Sequence, residues 1–359
     1  MALRGAGLMR ERWRRVLGGL LPGVERQPTL ALDSSGPRRL VGYLGDKDWS
    51  LSFIWKDLIA TQAMEGLDCL QALDPEQLKD ACRGADAHVL VLSHGHLKTV
   101  LQAGVPPERV LLYFDHVRLG KRLRGLQGLG AVLAQNWFEL ELLAIAGAQP
   151  ETLHHFPVGV DRRLFYPPEA QGDTSVVPPR SLDVVFLGQY VPERVASYHR
   201  RKRIALEADL ASALVEAGLR VAILGPGWEG AEHRLHPDVQ CLDLPHADFG
   251  ALLRSARLVC SVSAQEGGPL SFLEGLACGC LMVSTMTGFA LDFPSGTDGV
   301  WHVPLRAPLQ AWLERIQTVL AEAQPQLAPL SAGREQLLQE ADFEVLAAKL
   351  VGLCWGEVR

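Results

Sequence analysis

The sequence predicts an α/β protein of two Rossmann-like domains whose parallel sheets face each other across a cleft. Three observations predict it. Apolar strand-like runs alternate with helix-like stretches from Arg39 to the end of the chain. Those runs are apolar on both faces, the pattern of parallel strands covered by helices on each side. The alternation pauses once, over a proline-rich stretch, and then restarts. A chain of 359 residues is also too long for one ordinary core.

The elements follow in order. Residues 1–24 mix Arg4, Arg10, Arg12, Arg14 and Arg15 with Leu8, Trp13, Leu17 and Leu20. They read either as a basic amphipathic helix in peripheral contact with an anionic membrane, or as a helix packed on its own domain or a frayed tail. The segment lacks the apolar core and cleavage site of a secretory signal. The first domain, 1–160, holds strands at 39–45, 87–93, 109–115, 130–135 and 152–158. Residues 161–182, with Pro167, Pro168, Pro178 and Pro179, form the expected linker. The second domain, 183–335, holds strands at 183–188, 220–225, 239–244, 257–263 and 280–285. One long amphipathic helix is expected from Ser331 to Cys354, with 336–359 packing back on the first domain.

Composition narrows the function. Hydrophobic residues make up 48% of the chain and charged residues 21%, as in ordinary globular proteins. A net charge of -6 argues against a general nucleic-acid binder. Seven cysteines form no paired framework, so a reducing, cytoplasmic setting is expected, possible inner-membrane contact aside. Cys278 and Cys280 read as small buried residues. No apolar run reaches the roughly 18 residues that span a bilayer. His94 and His96 lack further ligands at a metal-binding spacing, so no metal site is expected.

The most informative stretch is SAQEGGPLSFLEGLACGCLMVST, residues 263–285. Glu266 follows an apolar strand, then come Gly267, Gly268 and Pro269, then a helix starting at Leu270 and Ser271 and carrying Glu274. A glycine-rich start to a helix offers backbone N–H groups at the positive end of a dipole, a site for a diphosphate. The two carboxylates suit hydroxyl groups. Diphosphate plus hydroxyls describes a nucleotide-sugar.

This segment resembles the E-x7-E signature of retaining glycosyltransferases of family 4 (the bacterial group 1 glycosyl transferases), which have the GT-B fold. The resemblance runs over roughly 39–305. NWFELELLAIAGAQPETLHHFPVGVDRRLFYPP (136–168) is similar to the end of the family's first domain, and DVVFLGQYVPER (183–194) to the first strand and loop of its donor domain. VAILGPGWEG (221–230) is similar to the second donor strand and its glycine turn, and GPGW resembles spore-maturation-protein-like members.

The resemblance implies a nucleotide-diphosphate-sugar as co-substrate, no metal or other cofactor, and an acceptor hydroxyl on an unspecified glycan, lipid-linked or small molecule. It implies that Glu274 accepts from ribose hydroxyls and that Glu266 lies near the reacting sugar. Gly188, Gly267, Gly268, Pro269, Leu270 and Ser271 would line the diphosphate. Gln189 replaces the family's usual arginine, which leaves Arg194 as the phosphate-contacting candidate, with Lys202 behind it in a cluster, HRRKR, that by itself reads as a solvated helix face. His116, in the loop after a strand, matches a family histidine directed at the donor sugar. Gly45-Asp46-Lys47 departs from the family's glycine pair. Trp49 and Trp55 read as core before they read as sugar-stacking rings. The LDLPHADF stretch (242–249) is expected near the base. A sugar-nucleotide epimerase of the same plan and a non-catalytic sugar-nucleotide-binding scaffold are the alternatives.

Overall fold

The computed structural model describes residues 30, 32–45, 50–116, 123–168, 180–191, 195–322 and 332–356. In chain order the elements are β1 (Arg38–Tyr43), α1 (Ser50–Ile59), β2 (Asp68–Ala72), α2 (Pro75–Cys82), β3 (Asp86–Val91), α3 (His94–Gln102), β4 (Val110–Phe114), β5 (Ala131–Ala134), α4 (Trp137–Ile145) and β6 (Leu153–His155). There follow β7 (Leu182–Leu187), α5 (Ala196–Lys202), α6 (Ile204–Glu216), β8 (Val221–Leu224), β9 (Gln240–Leu242), α7 (Phe249–Arg254), β10 (Ala256–Ser261), α8 (Leu270–Ala277), β11 (Leu281–Thr285), β12 (Val300–Val303), α9 (Leu309–Glu322), α10 (Ala332–Glu340) and α11 (Phe343–Trp355).

The chain divides into two units, Met1–Gly159 with Phe343–Arg359, and Val160–Asp342. The first unit holds a six-stranded parallel sheet in the order β2-β1-β3-β4-β5-β6. Every residue of β4 and β5 is buried, as strands covered on both faces must be. Asp74, Ser93 and Asn136 cap α2, α3 and α4 by accepting from amides of the first turn. Trp55 of α1 lies against Gly42 of β1 with no room for a side chain there, so this tryptophan is core. Helix α11 returns to this unit and packs on α1. Its Lys349 Nζ donates to His155 O at 2.7 Å, and Trp355 Nε1 donates to Asp86 Oδ2 at 2.9 Å.

The second unit has six parallel strands in the order β12-β11-β10-β7-β8-β9. Its core joins Val184, Phe186, Leu210, Ile223, Val283, Trp312 and Ile316. Connections from β7 run one way through β8 to β9, while β10 to β12 build out on the other side. The switch point therefore lies between β7 and β10, where ligands of open α/β sheets bind beyond the carboxyl ends.

Two expectations need correction. The single helix over Ser331–Cys354 is two helices, because the chain leaves α10 at Ala341 and Asp342 to bridge back to Val160. Val160 N donates to Ala341 O at 2.9 Å there. Strands β2 and β12, absent from the sequence reading, flank the two sheets. Residues 1–24, Asp46 to Trp49, Arg194 and most of the linker (169–179) lie outside the described residues. Among the described residues no helix is long and apolar enough to cross a membrane.

Candidate active site

The segment after β10 supplies the site in the second unit. Helix α8 begins at Leu270 behind an extended Pro269, and no side chain caps it. Proline suits this place because its missing N–H would have no helical partner. The 263–268 loop is held from two sides. Ala264 N donates to Arg201 O at 2.7 Å, and Glu266 N donates to Thr287 Oγ1 at 2.9 Å. The loop after β11 approaches Gly267 so closely that a Cβ on Gly288, whose φ is +58°, would collide with the Gly267 carbonyl.

The Glu266 side chain, 9% exposed, lies between two cations. Lys202 Nζ donates to its Oε1 at 2.5 Å and Arg201 Nη1 to its Oε2 at 3.2 Å. Burial alone would raise this carboxyl. Lys202 and Arg201, with hydrogen bonds from Lys202 and Ser263, outweigh it and hold the group below the ordinary value. The two cations reach it because α5 ends at Lys202 and Arg203 takes the left-handed conformation, φ 57° and ψ 44°, before α6 begins. A left-handed arginine is uncommon, and here it turns the helix end toward the loop.

Glu274 is 2% exposed in the second turn of α8. Its Oε1 lies 2.6 Å from His246 Nε2, and the ring of His246 sits among Phe165 and Phe249 at centroid distances of 5.4 and 5.2 Å. His246 belongs to the LDLPHADF stretch, which so reaches one of the two site carboxylates.

Several expectations take a different form here. The HRRKR cluster is not a wholly solvated face, because Arg201 and Lys202 turn inward to Glu266. Sequence reasoning put weight on Lys202 but passed over Arg201, His246 and the buried Glu207. Gly188 follows β7, and its carbonyl accepts from Trp228 Nε1 at 2.8 Å. Gln189 O accepts from Tyr198 Oη at 3.4 Å. In the first unit His116 Nδ1 lies 3.0 Å from Asp115 Oδ2 just past β4. His94 Nε2 contacts Arg124 O and His96 packs edge-on against Tyr43. Cys278 and Cys280 are buried free thiols.

The far end of α8 is anchored by two buried arginines. Arg180 reaches the carbonyls of Ala256, Cys278 and Gly279, and Arg334 of α10 reaches those of Leu276 and Cys280. Cations at a helix C-terminus satisfy its orphan carbonyls and oppose its dipole. Burial pushes the Arg334 guanidinium down to about 10, still charged near neutral pH. Arg334→Ala is expected to cost about 2–3 kcal/mol by removing the buried guanidinium's hydrogen bonds to the Leu276 and Cys280 carbonyls, read as a lowered Tm.

Residues 183–322 match the family model of Glycosyl transferases group 1. The fold is that of GT-B glycosyltransferases, with two Rossmann-like α/β units. Among solved structures, sucrose-phosphate synthase from Thermosynechococcus elongatus aligns with a TM-score of 0.67 at 15% identity, over 88% of this chain and 98% of that one. Anabaena HepE in complex with UDP-glucose aligns with a TM-score of 0.64 at 14% identity, over 89% and 100%. The MMP alpha-(1->4)-mannosyltransferase of Mycolicibacterium hassiacum is 30% identical over 168 residues, which is 44% of this chain and only 37% of that protein.

Proposed function

We propose that this protein is a retaining glycosyltransferase that moves a hexosyl group from a nucleotide-diphosphate-sugar to an acceptor hydroxyl in glycoconjugate synthesis. The observation that carries the reading is the placement of Glu266 and Glu274 about the start of α8 at the sheet's switch point, with Lys202 and Arg201 on Glu266. The HepE structure, solved with UDP-glucose, supports the donor class by its fold.

In this reading the diphosphate lies against the Gly268, Leu270 and Ser271 amides, and Glu274 accepts from the ribose. Lys202, Arg201 and Arg194 balance the charge that grows on the leaving phosphate, without a metal. Glu266 faces the sugar as it gains oxocarbenium character. The departing phosphate oxygen takes the acceptor proton on the same face, which retains anomeric configuration. His116 is assigned to the donor sugar, and residues 1–24 to peripheral membrane contact.

Incubation with a panel of labelled nucleotide-sugars tests the class. Transfer, or slow release of free sugar, is the expected result. A new epimeric sugar-nucleotide formed without acceptor would make the protein an isomerase, and binding without turnover would make it a scaffold.

A further inference from the structure

Glu207 lies in the first turn of α6, is 6% exposed, and its Oε1 has no hydrogen-bond partner. It sits beneath the end of β7, where a Cβ added to Gly188 would stand 3.8 Å from that oxygen. The charged groups it feels are Lys202 of α5 and Glu266 of the 263–268 loop, and its own charge reaches Tyr198 of α5 and Cys260 of β10. A buried carboxyl oxygen that no donor reaches is tolerable when the group is neutral and costly when it is ionised.

We propose that Glu207 is a positioning residue of the donor site: as the neutral acid it leaves Lys202 and Arg201 to Glu266 and the donor diphosphate, and on losing its proton it draws Lys202 inward and weakens donor binding. The proposal rests on the donor-site reading above. Two cations face one carboxylate at Glu266, an excess of positive charge that suits a diphosphate. A second ionised carboxylate acting on Lys202 cancels that excess.

Burial pushes the Glu207 carboxyl up, Lys202 pulls it down and Glu266 pushes it up again, leaving it at about 7. The acid therefore holds its proton below neutrality and loses it above, so donor affinity falls as pH rises through this value.

Calorimetric titration of UDP, and in parallel GDP, into wild type and Glu207→Gln at pH about 6 and about 8.5 tests the proposal. Wild-type Kd is expected to rise about tenfold more than that of the variant over this range, and the nucleotide's own titration cancels in the comparison. Infrared difference spectra of wild type minus variant are expected to show a protonated-carboxyl band at the lower pH that is gone at the higher. Parallel Kd profiles, or no such band, overturn the proposal and leave the donor site standing. A band without binding of either nucleotide overturns the donor-site reading, and this proposal with it. Should Glu207→Gln fail to fold, Glu207→Met takes its place as the uncharged variant.

Discussion

Glu266→Gln is expected to lower kcat by about a thousandfold while leaving nucleotide affinity unchanged or tighter. The asymmetry follows from its partners. The carboxylate pairs with Lys202 and Arg201 at 2.5 and 3.2 Å, so replacing it with a neutral amide leaves both cations available to a diphosphate. Ground-state attraction for the nucleotide therefore persists. What goes is the negative charge beside a sugar that becomes positive in the transition state, and an interaction confined to the transition state appears in kcat. Steady-state kinetics with the donor found in the panel assay checks it. A variant with wild-type kcat would reduce Glu266 to a structural counter-ion, and the thermal midpoint measured alongside separates loss of chemistry from loss of fold.

Glu274→Gln is expected to weaken nucleoside diphosphate binding by about 10- to 100-fold with little change in kcat at saturating donor. Hydrogen bonds to a charged acceptor are worth more than those to a neutral one, and burial at 2% exposure sharpens the difference. The amide also meets His246 with one donor too many if its NH2 turns that way, so the ring held among Phe165 and Phe249 loses its acceptor. Calorimetry with UDP and GDP is the direct measurement. Wild-type affinity in the variant would remove Glu274 from the ribose.

Central strands were legible because burial on both faces leaves a continuous apolar run. RVLLYFD and GAVLAQ become β4 and β5 with no exposed residue. Strands β2 and β12 were not, because each lies at a sheet edge. DCLQA keeps Asp68 and Gln71 on a strand with only Ala72 fully buried, and VWHV is four residues long. The break between α10 and α11 escaped because neither Ala341 nor Asp342 is a glycine or proline; α10 buries only Arg334 and Leu338, whereas α11 buries Phe343, Leu346, Ala347, Leu350, Val351 and Cys354. No local signal marks a residue recruited to bridge Val160.

The candidate site divides the same way. Strand, Glu266, two glycines, proline and helix are local chemistry, and order along the chain suffices to place them at the start of α8. Charge pairing is not local. Arg201 and Lys202 stand more than sixty residues before Glu266, and in sequence they resemble any basic helix face. His246 meets Glu274 across twenty-eight residues.

The alternation of buried strands and helices, the division of the chain in two, and the glycine-rich turn between two glutamates could be read from the chain alone, because each depends on residues close in order. Folding alone settled which cations hold Glu266, that His246 engages Glu274, and that Glu207 Oε1 lies buried near Gly188 with no hydrogen-bond partner. Those are relations among side chains from α5, α6, the β9–α7 loop, the 263–268 loop and α8. Packing of helices about the sheet, which no local pattern encodes, sets the distances on which their charges act.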